Sequence, residues 1–305
     1  MRLGFTTNNT PEDVRPGKLA RALEDRGYDS VWFGEHPQIP VSRQTPYPAG
    51  GDMPEIYKRM MDPFVSLTLA AAATTTLQVG IGVALPLEHD IFDLAKSAAT
   101  LDLLSEGRFN FGVGVGWNAE ELACVSQVPW NRRYAAVAES VAALRALWTQ
   151  EEAEFHGEFY DFDAVWSYPK PHQRPHPPVM CGMAGKLGID HAVRWADGWM
   201  PMDIALGNVA KRLARFHSAV EDIGRDPIPV TLVTFGDPSF ETIEHYRDLG
   251  VHRVVIGASR TGWDDPSTTM DYLDRYAAVI SQIAVIPQTA VIPQTAVIPQ
   301  IGVSP

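Results

Sequence analysis

Cysteine is nearly absent: the chain of 305 residues holds two, Cys124 and Cys181. They fit no metal-ligand spacing and build no disulfide framework, so a reducing, cytoplasmic setting is the expectation. Long apolar runs are missing too. Nothing approaches the run of about 18 apolar residues that a membrane-spanning helix needs. The opening MRLGFTTNNT lacks the apolar core of a secretory signal. Basic charge is scarce, with 25 Lys and Arg against 37 Asp and Glu and a formal net charge of −12. That balance argues against a broad nucleic-acid or anionic-membrane footprint.

What the chain does have is a repeated alternation of short β-branched runs and helical periodicities. The clearest unit is 77–117. LQVGIGV reads as a strand, and Pro86 stops it. Ile91, Leu94, Ala95, Ala98, Leu101 and Leu104 then recur at helical spacing, and Gly107 follows as a candidate C′ residue. Strand character resumes over 109–115. A strand–helix–strand of this length predicts parallel neighbours joined by a right-handed crossover. Further strands are expected at 2–6, 30–34, 178–181, 197–201, 228–235 and 251–257, with helices at 11–27, 63–76 and 185–196. Four more amphipathic helices run from Tyr134 to Trp148, Val209 to Ile223, Phe240 to Leu249 and Tyr272 to Ile280.

Eight strands, each followed by a helix, predict an α/β fold of the (β/α)8 TIM-barrel type, with an open doubly wound sheet as the competitor. Two stretches interrupt the alternation: a long Pro- and Gly-rich loop at 37–62 after strand 2, and an aromatic, Pro-rich excursion at 151–177 before strand 5. The barrel is expected to occupy residues 1–283. Residues 284–305 repeat AVIPQT, whose regular prolines forbid a long helix, and are expected to form a low-complexity, disordered tail.

In such a barrel the carboxyl ends of the strands build the active site. Glu35-His36-Pro37 lies at the expected end of the second strand, where an imidazole can donate or accept a proton. A histidine satisfied by loop backbone is the competing reading, and Glu35 either orients His36 or faces away. Gly112, Gly114 and Gly116 alternate on one face of a strand, which makes room for barrel packing or for a flat ligand. Residues 114–119 also match G-x-G-x-x-A, with Glu139 about 20 residues on. Three βα units precede the match and Trp117 sits in its turn, so a dinucleotide fingerprint is set aside. Residues 182–188 open a helix, either as a phosphate-binding turn or as an ordinary one. His172 and His176 have a zinc-like spacing, but Pro171, Pro175 and Pro177 block helical presentation and no acid or cysteine joins them, so no metal is expected. Cys181 has no matching base and reads as a small residue in a tight turn. Asp197-Gly198-Trp199 reads as structural.

Four segments together resemble the luciferase-like monooxygenase superfamily. They are GYDSVWFGEHP at 27–37, LQVGIGVALP at 77–86, LAKSAATLDLLSEGRFNFGVGVGWNAEE at 94–121, and PKPHQRPHPPVMCG with the later ADGW ending at Trp199. The resemblance covers residues 1–280 and implies a (β/α)8 flavin or deazaflavin oxidoreductase. It looks closest to the branch that uses coenzyme F420, a deazaflavin carrying a phosphate and an oligoglutamate tail. It implies that His36 is the catalytic residue beside the reacting ring. It implies a bulge with a non-prolyl cis peptide at Gly82–Val83 behind that ring. The remaining cofactor contacts it implies are Glu35, Ala84, Gly114, Val115, Gly116, Trp117, Cys181, Gly182 and Met183. The loop 37–62 would be a lid, with Arg43, Tyr47 and Lys58 as contacts to substrate or cofactor tail.

Relatives that oxidise sugar phosphates put a carboxylate where this chain has Trp117, which disfavours that substrate. Many relatives have Gly-Gly where this chain has Cys181-Gly182. The resemblance thus implies hydride transfer between coenzyme F420 and an organic substrate, in a homodimer. One rival is an FMN-dependent monooxygenase supplied with reduced flavin by a partner reductase. Another is a non-catalytic barrel that binds a flavin or another protein.

Overall fold

Eight parallel strands form one sheet that curls into a nearly closed barrel. The computed structural model describes residues 1–258 and 265–283, so the AVIPQT repeat lies outside the described residues. In chain order the elements are β1 (Arg2–Thr7), α1 (Pro16–Asp25), β2 (Ser30–Phe33), α2 (Pro63–Ala72), β3 (Gln78–Ala84), α3 (Ile91–Leu104), β4 (Phe109–Val113) and α4 (Ala119–Val125). There follow α5 (Arg133–Thr149), β5 (Ala153–His156), β6 (Asp161–Val165), β7 (Val179–Cys181), α6 (Gly185–Trp195), β8 (Gly198–Trp199) and α7 (Val209–Asp222). The chain then runs through β9 (Thr231–Val233), α8 (Phe240–Asp248), β10 (Arg253–Ile256) and α9 (Pro266–Ile283).

The barrel order is β8-β7-β4-β3-β2-β1-β10-β9. Parallel bridges from Trp199 to Val230 and from Met202 to Val233 bring the two ends of that order together. Consecutive barrel strands are neighbours throughout, which is the expected (β/α)8 arrangement rather than an open sheet. Among the described residues no helix is long and apolar enough to cross a membrane.

The sequence explains where the elements stop. α3 starts at Asp90, whose carboxylate accepts from the Phe92 and Asp93 amides. It ends in a Schellman motif: Glu106 N–H donates to Leu103 O and Gly107 N–H to Asp102 O. Glu106, at φ 55°, therefore takes the C′ position that the sequence suggested for Gly107, which follows it at φ 81°. The excursion at 151–177 hides an antiparallel hairpin, β5 with β6, outside the barrel. Glu139 fixes its turn by accepting from the Phe159 and Tyr160 amides. Two prolines in this excursion, Pro169 and Pro175, follow cis bonds.

The core has two parts. The outer faces of the strands meet the helices through Phe5, Val31, Phe33, Val79, Ile81, Phe109 and Phe111, all buried. Inside the barrel, Trp32 packs with Met180, Met200, Val233 and Val255. Trp32 fits because its neighbour on β3 is a glycine: a Cβ on Gly80 would lie 2.3 Å from the indole. Below it the Arg253 guanidinium sits over the ring and pairs with Asp29. The amino end of the barrel is thus packed and charge-neutralised, and the carboxyl end carries the loops.

Candidate active site at the barrel mouth

β2 releases Gly34, Glu35 and His36 into the mouth. Glu35 is buried, and both its oxygens are engaged. Leu85 N–H donates to one at 2.7 Å, and His89 Nε2 lies 2.8 Å from the other. Burial opposes a charge on His89, but the bond to Glu35 and its charge outweigh burial and raise the imidazole above its ordinary range. Glu35 therefore staples the tip of β3 to the end of β2. It does not orient His36, one of the two roles the sequence left open.

The residue that orients His36 is Glu121, on α4. His36 Nδ1 lies 2.8 Å and 3.0 Å from its two oxygens, and the Glu121 side chain is wholly buried. On the other side of the ring, Trp117 Nε1 donates to His36 Nε2 at 3.2 Å. An indole N–H can only donate and a carboxylate accepts, so the proton belongs on Nδ1 and Nε2 carries the lone pair. Asn118 caps α4 by accepting from the Glu121 amide, and Gln38 Nε2 donates to the Glu121 carbonyl.

A third carboxyl, Glu88, stands between these two. Its Oε2 is buried with no hydrogen-bond partner. Burial, reinforced by the charges of Glu121 and Glu35, pushes its carboxyl up to about 9. Glu88 is then a neutral acid at physiological pH, which keeps three neighbouring carboxylates from all being charged.

The long loop after β2 closes over this group. One helical turn, Glu55–Arg59, breaks its otherwise irregular path. Tyr57 and Trp117 both stand beside the His36 ring, with centroids 5.3 Å and 5.7 Å away. Tyr47 lies across both, its hydroxyl 3.1 Å from that of Tyr57. Burial and this bond push the Tyr57 phenol up. Glu120 ties the loop down, accepting from the Gln44 and Thr45 amides and the Thr45 hydroxyl. Those bonds, the Thr45 hydroxyl first, hold its carboxyl down at about 2. Of the loop cations, Lys58 pairs with Glu55, whereas Arg43 Nε is buried without a partner.

At the tip of β3 the Gly82–Val83 peptide is cis, and the register with β4 shifts between Ile81 and Ala84. Both features are those the resemblance implied. The glycines opposite serve Val83. A Cβ on Gly114 or on Gly182 would lie 2.4 Å from a Val83 methyl, and one on Gly112 would strike the Ile81 carbonyl at 2.2 Å. The space at Gly114 and Gly182 is therefore filled by Val83, and that at Gly112 by the Ile81 carbonyl. Val83 itself is half-buried at the mouth.

Other candidates face elsewhere. The Cys181 side chain is buried in the outer core, 3.7 Å from the Gly188 carbonyl, and burial pushes its thiol up to about 12. Met183 and Ala84 are also buried in that core. The side chains of these three residues are therefore closed to a ligand. The turn after β7 leads into α6 with no side-chain cap at Ala184. At Gly185, φ +76°, nothing stands within 4 Å of an added Cβ. Asp197 is structural, accepting from the Val179 amide and pairing with Arg145, and Trp199 stacks on Phe216.

Four contributors escaped sequence reasoning: Glu121, Glu88, His89 and Tyr57. Asn118 followed three residues later by Glu121 is a capping signal for a helix start, and it marks α4. The pairing of Glu121 with a residue 85 positions away has no local signal.

The luciferase-like monooxygenase family model matches residues 7–270. An uncharacterized protein of Mycobacterium tuberculosis is 39% identical over 287 residues, covering 92% of this chain and 99% of that one. The F420-dependent hydroxymycolic acid dehydrogenase of the same species is 28% identical over 71% of this chain and 57% of its own length. Among solved structures, the monooxygenase RslO1 of Streptomyces bottropensis superposes with a TM-score of 0.74 at 19% identity, over 93% of this chain and 100% of its own. An F420-dependent secondary alcohol dehydrogenase in complex with an F420–acetone adduct gives 0.72 at 17%, over 92% and 98%.

Proposed function

The chain belongs to the luciferase-like monooxygenase family, and from that premise we propose that it moves a hydride between coenzyme F420 and the carbon of an alcohol–carbonyl couple. The observation that carries this reading is His36 at the barrel mouth, with Nδ1 held by Glu121 and Nε2 left as the acceptor. An alcohol that gives up a hydride must also lose its hydroxyl proton, and a neutral imidazole nitrogen can take it. Relatives named as F420-dependent dehydrogenases support the choice of cofactor.

The residues present fit a deazaflavin. Val83, seated on Gly114 and Gly182, offers a fixed apolar floor for a planar ring. Val115 and Gly116 would flank that ring. The uncapped first turn of α6 presents amide donors suited to a phosphate. The unpartnered Arg43 Nε suits an anionic tail. When bound, the cofactor supplies the two-electron hydride acceptor; the protein binds it, orients the substrate and handles the proton. Tyr47, Tyr57 and Trp117 wall the space before His36 with aromatic surface and exclude water from it. Trp117 stands where a carboxylate would serve a sugar phosphate, so a less polar alcohol suits the wall better.

Titration of the purified protein with coenzyme F420 and with FMN, followed by ring absorbance and fluorescence, tests the reading. Saturable deazaflavin binding is expected. Tight FMN binding with no deazaflavin binding would overturn it in favour of flavin monooxygenation. Binding of either without turnover, across a panel of alcohols, would favour a non-catalytic barrel.

A further inference from the structure

We propose that Glu121 is a positioning residue that acts through His36, locking the ring as its Nδ1–H tautomer and balancing the imidazolium that forms when Nε2 takes a proton. The assignment of a substrate proton to His36 rests on the proposed function; the locking of the tautomer does not.

Geometry carries the first half. Two oxygens of one carboxylate sit within 3.0 Å of Nδ1, and that carboxylate is sealed from solvent. A buried carboxylate needs donors, and among the described residues His36 is the one side chain that donates to it. The other tautomer, with the proton on Nε2, would place a lone pair against that carboxylate and a donor against the Trp117 N–H. Both contacts would then be repulsive, so each enforces the other.

The second half follows from the charges around the ring. The groups packed about His36 are Glu121 on α4, Trp117 after β4, Tyr57 on the loop, and behind Glu121 the carboxyls of Glu88 and Glu35. Glu35 is already engaged by His89 and Leu85. Glu88 has a buried oxygen with no partner, and burial, reinforced by the charges of Glu121 and Glu35, raises its carboxyl. Glu121 is therefore the carboxylate left to compensate a positive ring. In the step, the substrate O–H bond breaks and an Nε2–H bond forms. The proton already on Nδ1 stays there, now shared more closely with Glu121. The Trp117 N–H occupies Nε2 in this structure, so a substrate hydroxyl must take its place.

The test reads the ring directly. Two-bond 15N–1H correlation spectra of the 15N-labelled protein without cofactor should show His36 as a single tautomer, protonated at Nδ1. Glu121→Gln should turn that signal into a mixture of tautomers. It should also lower kcat about 10- to 100-fold with KM nearly unchanged. In a His36→Ala background the same change should add almost nothing, because the two residues act as a unit. Glu121→Asp should restore part of the tautomer bias. An Nε2-protonated or mixed ring in the wild-type protein would overturn the proposal without any variant. So would a full additional loss from Glu121→Gln on top of His36→Ala. Failure of the protein to bind coenzyme F420 would instead sink the functional reading and leave the tautomer result standing.

Discussion

Two histidine–glutamate pairs share the barrel mouth, His36 with Glu121 and His89 with Glu35, each closed at 2.8 Å. They differ in what surrounds them. Glu35 uses its second oxygen on the Leu85 amide, so that pair is one staple between the tips of β2 and β3. Glu121 uses both oxygens on one ring nitrogen, and the other nitrogen of His36 looks into the mouth. The same chemical pair thus serves as a clasp in one place and, in the proposed reading, holds the base in the other. A histidine and a glutamate at hydrogen-bond distance do not identify a site; what the rest of each pair touches does.

Single substitutions should separate the two pairs cleanly. His36→Ala should lower kcat about 10²- to 10⁴-fold, the range of a lost general base, while shifting the thermal midpoint little. Calorimetry and steady-state rates on one preparation check it, and comparable losses in both would make His36 structural. Glu35→Ala should behave the opposite way. It leaves a buried amide and an imidazole without their acceptor, so unfolding in urea should show a loss of about 3 kcal/mol. A fully stable Glu35→Ala protein with impaired turnover would reverse the roles assigned to the pairs.

Glu88 sharpens the comparison through pH. Its carboxyl is raised to about 9 in the folded chain against 4.5 for the unfolded reference. Between those values the folded state holds a proton that the unfolded state has released. Stability therefore falls as pH rises through that window, by no more than about 1.4 kcal/mol per pH unit. Glu88→Gln carries no titrating group, so its unfolding free energy should depend less on pH between 5 and 8. Parallel curves for both proteins would mean that Glu88 ionises normally. The smallest effect belongs to the loop tie. Glu120→Ala removes the acceptor for two amides and a hydroxyl, and hydrogen exchange at Gln44 and Thr45 should quicken about 10-fold. Unchanged protection there would mean that the loop is held by its aromatic contacts alone.

How much of this was legible depended on range. The barrel strands announce themselves through local runs of β-branched residues stopped by Gly or Pro, and β3, α3 and β4 lie within a few residues of where pattern places them. β8 has only two residues in the ladder, too few for a periodic signal, and the strand expected at 197–201 is longer than the one observed. The β5–β6 hairpin is not legible because its strands are short and mostly exposed, with too few buried apolar residues to mark a face. His36 was legible from its position at the end of a strand. Its partner was not: Glu35, adjacent in sequence, points to the neighbouring strand, and Glu121 arrives from a helix two barrel strands away. Gly112, Gly114 and Gly116 are legible as a need for space. That the Val83 side chain fills it at Gly114, and also presses on Gly182, depends on a backbone path that no periodicity encodes.

The central claim is hydride chemistry at His36 rather than oxygen insertion. It is tested most directly with secondary alcohols deuterated at the carbinol carbon, incubated without oxygen with the protein and coenzyme F420. The account predicts deuterium on the reduced deazaflavin and a ketone product. A protein inert under those conditions, which instead takes up oxygen with reduced FMN and places labelled oxygen in its product, would contradict it.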